Sequence, residues 1–166
     1  MTQLTEQEAR QMIAVVNTRN VDKVVEQFAD DASYQVPSLD LPLRGKEAIR
    51  TFLTNAFAAF PDWTMDIGKV IVAGDETVVV NSVHGTHSGS SSTKDGKSVA
   101  PTNKKFVQEQ LTRVTVNEKG KVTLFRAYGN PTEMNRLMGF PQGTPTKTEP
   151  MSPVTGAAVT PPASVK

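Results

Sequence analysis

Proton chemistry in this chain falls to a short set of side chains. Glu109 lies in a run, residues 106–114, that otherwise reads as a half-buried strand. Strand parity groups it with Val107 and Leu111, which favours an inward position. A carboxylate facing an apolar cavity has a raised pKa and can shuttle protons near neutrality. The plainer alternative turns Glu109 outward among Gln108, Gln110 and Thr112. His84 and His87 stand three residues apart on one strand, so a regular strand sends them to opposite faces. That spacing is wrong for a shared metal ion, and with two histidines and no cysteine no metal site is expected. Singly, either histidine can serve as an oxyanion donor or a proton carrier; the competing reading of each is structural.

Other residues can hold or orient a ligand. Asn130 cannot exchange a proton, yet its amide can orient a carbonyl or enolate. It also precedes Pro131, with Glu133 behind it, which is a good helix N-cap. Trp63, which follows Phe60-Pro61-Asp62, is a candidate binding residue whose stronger reading is packing. Arg126 and Tyr128 share strand parity with Val122 and Leu124. Turned inward, Arg126 would meet an acidic group of a ligand or partner; turned outward, it is a solvated or interface residue. Lys94, Lys97, Lys104 and Lys105 make residues 88–103 and their flank basic, as either a solvated loop or a lid at a pocket rim. No phosphate-cradling glycine loop, serine triad or dinucleotide fingerprint is present.

These groups need elements to position them. Thr5 and Glu8 form a capping-box pair, and Ala9, Met12, Ile13 and Val16 follow at helical spacing. Asn20 caps a second short helix with Val21, Val24, Val25 and Phe28 on one face, ended by Asp30 and Asp31. Residues 32–36 read as a strand and 37–45 as a loop. A third helix spans residues 46–60, where Pro61 stops it. Strands follow at 64–73 and 76–87, then at 104–116 and 121–128 as a hairpin. A last short helix is expected from Asn130 to Gly139. Helices first and an antiparallel sheet after them favour an α+β fold, with the sheet curling around the helices.

Composition sets the frame. The chain has 166 residues, enough for one domain, with 37% apolar side chains. Six of its 11 prolines and no aromatic lie after Phe140, so residues 141–166 read as a disordered tail behind a domain of residues 1–140. A net charge of +1 argues against nucleic acid as a partner. No cysteine, secretory leader or membrane-length apolar run is visible, and the expectation is a soluble, cytoplasmic protein.

Several segments together carry a resemblance. "FADDASYQVP", "GKEAIRTF", "AFAAFPDW", "VVVNSVHGTHSG" and "GKVTLFRAYGNPTEMNRLMG", in this order and spacing, resemble the SnoaL-like polyketide cyclase group of the nuclear-transport-factor-2-like superfamily. The last segment is also similar to the phenazine-biosynthesis A/B proteins. The resemblance spans residues 5–140. It implies a cone-shaped α+β barrel, a curved antiparallel or mixed sheet wrapped around N-terminal helices, usually dimeric or higher, with a deep apolar pocket. It implies chemistry without a cofactor on a small cyclic or polyketide substrate.

The same resemblance weights the candidates. Counting back from Gly139, Asn130 stands where SnoaL-type cyclases carry an acid/base aspartate, a departure that removes that group. The phenazine-type relatives also carry asparagine there, and their functional glutamate has Glu109 as its nearest match. His87 belongs to the "GTHSG" segment that recurs in the family, at a strand end where pockets open; His84 is the second candidate. Tyr34 closes the helical half, where the family lines its pocket with aromatics.

Two functions follow. One is an enzyme doing cofactor-free acid/base chemistry (cyclisation or isomerisation, aldol type) on a polyketide-like or cyclic carbonyl substrate. Glu109 would be its acid/base, and His87, His84 or Asn130 would orient the substrate. The other is a non-catalytic carrier or scaffold for a small hydrophobic ligand, which the asparagine at 130 favours. The fold itself does not choose between them. A homodimer or higher homo-oligomer is expected in either case.

Overall fold

A computed structural model describes residues 3–92, 96–130 and 136. The expected tail at 141–166, Lys94, and the expected last helix apart from Asn130 and Arg136 lie outside these residues.

Helix α1 (Glu6–Asn17) begins at the reciprocal capping box of Thr5 and Glu8. The Glu8 backbone N–H donates to Thr5 Oγ1 at 3.2 Å, and the Thr5 backbone N–H donates to Glu8 Oε2 at 2.8 Å. It buries Ala9, Met12 and Ile13. Helix α2 (Val21–Glu26) starts where Asn20 Oδ1 accepts the Lys23 N–H. Helix α3 (Lys46–Ala59) follows Gly45, whose φ of +83° suits glycine, and a Cβ there would meet the Asp30 carbonyl at 3.2 Å. Ile49, Leu53 and Phe57 form its buried stripe.

The strands are β1 (Phe28–Gln35), β2 (Leu43–Arg44), β3 (Thr64–Ala73), β4 (Glu76–Thr86), β5 (Ser91–Ser92), β6 (Ser98–Val99), β7 (Lys105–Val116) and β8 (Val122–Tyr128). Six of them form one sheet in the order β2-β1-β8-β7-β4-β3, and β5 pairs with β6 alone. Every pairing in the large sheet is antiparallel except β1 with β8, which is parallel. The expected α+β fold, a curved sheet with helices against one face, is therefore present.

The structure corrects three boundaries. Phe28 and Asp30 belong to β1, although Phe28 continues the apolar spacing of α2. Tertiary pairing overrides that local signal, because Phe28 opposes Val122 and the Val122 N–H donates to the Gln27 carbonyl at 2.8 Å. A register shift between Phe28 and Ser33 then absorbs the exposed Asp30 and Asp31. The two expected loops, 37–45 and 88–103, carry the short strands β2 and β5–β6.

One face of the sheet is concave and covered by the helices. Val79 and Val83 of β4, Phe106 and Val114 of β7, and Phe125 and Ala127 of β8 are buried there against Ile49, Leu53 and Phe57. Each of these side chains except Ala127 contributes about 1.5–3 kcal/mol of burial. The other face of the sheet is convex and exposed, and it carries Val107, Leu111 and Tyr128.

Candidate functional site

The alternation of β4 and β7 sends two kinds of residue into the covered face. Val79, Val83, Phe106 and Val114 are apolar; between them lie Asn81, Gln108, Gln110 and Thr112, all at most 7% exposed. Register places Asn81 directly opposite Gln110, Val83 opposite Gln108, and Val79 opposite Thr112. The result is a strip of neutral amides and a hydroxyl inside an apolar frame. Thr112 Oγ1 donates to Asn81 Oδ1 at 2.9 Å, and Gln108 Nε2 donates to the Asn130 carbonyl at 3.1 Å. Two atoms of the strip, Asn81 Nδ2 and Gln108 Oε1, are sealed from solvent and have no partner among the described residues. Interiors rarely tolerate such atoms, because each carries an uncompensated desolvation cost.

Tyr34 sits at the β1 side of this face. Its ring stacks on Phe125 with centroids 5.1 Å apart and tilts against Phe52 at 5.6 Å. Burial pushes its phenol well above the usual range, so it is a neutral donor at any ordinary pH.

His87 closes the far end. It is fully buried, and Phe60 lies beside its ring at 5.4 Å. The Thr102 backbone N–H points at Nδ1 from 3.2 Å, and an N–H can only donate. Nδ1 is therefore an acceptor, the ring proton sits on Nε2, and Nε2 donates to Ser91 Oγ at 3.0 Å. Burial lowers the His87 pKa and holds the ring neutral. The backbone of His87 pairs with Lys104 and Asn103. This one residue thus grips both ends of segment 88–103, expected as a solvated loop or a lid. Next to it, Phe60 meets Trp63 and Phe106 edge to face, and Trp63 tilts against Phe106, so its ring packs in this cluster.

The remaining candidates point elsewhere. Glu109 shares its parity with Val107 and Leu111 as expected, but all three are exposed on the convex face. The expectation of an inward Glu109 is overturned because the alternate residues Phe106, Gln108, Gln110, Thr112 and Val114 take the covered side. Glu109 borders an open cleft of about 480 Å³ with Asp66, Val80, Leu111 and Tyr128. His84 is also outward, and its Nε2 lies 2.5 Å from Asp66 Oδ2. Arg126 and Tyr128 are outward together, the guanidinium 4.8 Å from the ring centroid. Their expected companion Val122 faces inward instead, because a register shift beside Thr115 and Val116 reverses parity along β8. Asn130 is exposed, and its carbonyl anchors Gln108.

The covered face therefore unites two of the expected residues, Tyr34 and His87, with four unexpected ones, Asn81, Gln108, Gln110 and Thr112. One signal was available: Asn81 and His87 share parity with Val79 and Val83, so a buried pair of valines implies a buried amide and imidazole. Among the described residues no carboxylate is buried, and no three metal-ligating side chains converge. No described helix is long and apolar enough to cross a membrane.

A family model described as a SnoaL-like domain matches residues 9–125. No sequence among curated proteins matches the chain. Among solved structures, a protein of Catenulispora acidiphila with a ketosteroid isomerase-like fold, in complex with trimethylamine, is 18% identical. It aligns over 82% of this chain and 95% of its own with a TM-score of 0.67. A putative SnoaL-like polyketide cyclase of Jannaschia is 18% identical over 86% of this chain and 98% of its own, at a TM-score of 0.67. An M. tuberculosis epoxide hydrolase of the LEH-like type is 14% identical over 78% and 85%, at a TM-score of 0.59. At these identities the likeness is one of fold.

Proposed function

The chain belongs to the SnoaL-like domain family, and from that premise we propose that it binds a small, mostly apolar, oxygenated molecule on the concave face of its sheet. The observation that carries this reading is the strip of buried neutral amides set in an apolar frame. A packed core gains nothing from three amides in a row, whereas a site for an oxygenated apolar ligand needs a few polar groups in an apolar wall. NMR of the isotope-labelled chain with a panel of neutral fragments tests it. Shifts should concentrate at Val83, Phe106, Gln108 and Ala127. Hits confined to the convex face overturn the reading.

Acid/base catalysis on a cyclic or polyketide-like carbonyl is the second reading, and His87 favours it: a neutral imidazole at the end of the covered face. Its ring nitrogens are engaged by Ser91 and Thr102, so proton transfer requires segment 88–103 to release it. Catalysed exchange of the α-protons of cyclohexanone in D2O, lost in His87→Gln, supports this reading; exchange at the buffer rate removes it. Glu109 lies outside the covered face and takes no part in either scheme.

The convex face suits a second copy of the chain. Val107 (65% exposed), Leu111 and Tyr128 offer apolar area. Glu109 and Arg126 put opposite charges on the same face, so a two-fold contact brings each against its opposite.

A further inference from the structure

Asn81 Nδ2 and Gln108 Oε1 are complementary as well as unpaired. Asn81 and Gln108 are diagonal neighbours on adjacent strands, both inward, 3% and 5% exposed. Each amide has one bonded end and one free end. Gln108 Nε2 donates to a backbone carbonyl, which can only accept, so the free end of Gln108 is an acceptor. In the structure Asn81 Oδ1 accepts from the Thr112 hydroxyl, which leaves the amide nitrogen Nδ2, a donor, as its free end. Gln110 lies beside both, opposite Asn81 and two residues from Gln108, and its side chain makes no hydrogen bond among the described residues. It is the group least tied in place. No lysine, arginine or carboxylate is buried among the described residues, so nothing on this face would neutralise a charged ligand.

Resting on the small-molecule reading above, we propose that Asn81 and Gln108 select an uncharged ligand by a hydroxy-carbonyl edge. The ligand carbonyl accepts from Asn81 Nδ2, the ligand hydroxyl donates to Gln108 Oε1, and Gln110 swings aside to admit them. The apolar body of the ligand rests on Val83 and Phe106. A ligand lacking either group leaves one amide end buried and unpaired, which is a strong basis for discrimination.

The test uses three probes of one shape: 3-hydroxyacetophenone, acetophenone and 3-ethylphenol. Affinities come from NMR titration of the full chain, with the side-chain amide signals of Asn81 and Gln108 as reporters. The expected result is at least tenfold tighter binding of 3-hydroxyacetophenone than of either single-group probe, with both reporters shifting. Gln108→Met should abolish the advantage over acetophenone, and Asn81→Leu the advantage over 3-ethylphenol. Each variant should still bind the probe that lacks the lost partner. Equal binding of all three on the concave face overturns this inference and leaves the small-molecule reading standing. Absence of any concave-face shift with all three also overturns the inference, and the fragment panel then decides the broader reading separately.

Discussion

Replacing Asn81 by Leu together with Thr112 by Val should stabilise the protein while removing ligand discrimination. The two side chains bond each other at 2.9 Å, and both are buried, 3% and 1% exposed. Losing that bond costs about 1 kcal/mol, because both partners leave together and no new orphan is made. Asn81 Nδ2 is already an orphan, so its removal returns about 1–3 kcal/mol of desolvation. Both substitutions replace a polar group by an apolar one of similar shape, and when both partners of a bond go together the change is near neutral in packing. The net is a gain of about 1 kcal/mol, equivalent to a rise in Tm of roughly 2–4 °C for a chain of this size. Circular-dichroism melts and urea titrations of parent and double variant give the measurement. A fall in Tm of several degrees would refute the reasoning, since it would make the amide strip a structural network. A gain in stability with unaltered probe preference would separate the energetics from the binding role.

Three further outcomes follow from the same geometry. Burial holds the folded His87 pKa below its ordinary 6.5, so the unfolded chain takes up the proton first as pH falls. Its stabilisation is full above pH 6.5 and is lost as pH drops from 6.5 towards the depressed folded value; urea midpoints at pH 8 and pH 5 should differ more in the parent than in His87→Gln. Leu111→Glu adds a charge beside Glu109 on the convex face and should change monomer stability by no more than about 0.5 kcal/mol. Self-association, read by light scattering over a concentration series, should weaken, and an unchanged mass profile removes the convex face as an interface. Gly129→Ala places a Cβ 2.6 Å from Gln108 Nε2 and 3.3 Å from Pro37 Cγ, so the amide must leave the Asn130 carbonyl at a cost of about 1 kcal/mol. A Gln108 side-chain signal that stays in place would show that the amide accommodates the methyl group.

Much of the scaffold is legible in the sequence because its signals are local. Thr5 with Glu8, Asn20, and Pro61 mark helix ends through caps and a missing donor, and the structure has all of them. Phe28 misled because four residues at helical spacing look alike whether or not a strand ninety-odd residues away claims the last of them. The site is harder. Strand β7 carries apolar residues at both parities, Val107 and Leu111 on one and Phe106 and Val114 on the other. Composition cannot say which set meets the helices, so Glu109 was grouped correctly and turned the wrong way. Arg126 and Tyr128 depended on a regular β8, and the irregularity near Val122 is set by pairing with β7. His87 was legible by its place at a strand end, but its grip on Ser91 and Thr102 exists only once the loop has returned.

The parallel pairing of β1 with β8 also sets the order in which the fold can be completed. Tyr34 meets Phe125, and Gln35 meets Arg126, so the first strand waits for the last before its inner edge is satisfied. Until then β1 has, among the described residues, only the two residues of β2 to pair with, leaving a row of open donors and acceptors beside the rings of Phe28 and Tyr34, on which Phe125 packs in the finished fold. Contacts this distant in sequence form slowly. A nascent or truncated chain that stops short of Val122 therefore presents a sticky, half-built edge, and β8 acts as its built-in chaperone by filling the gap between β1 and β7.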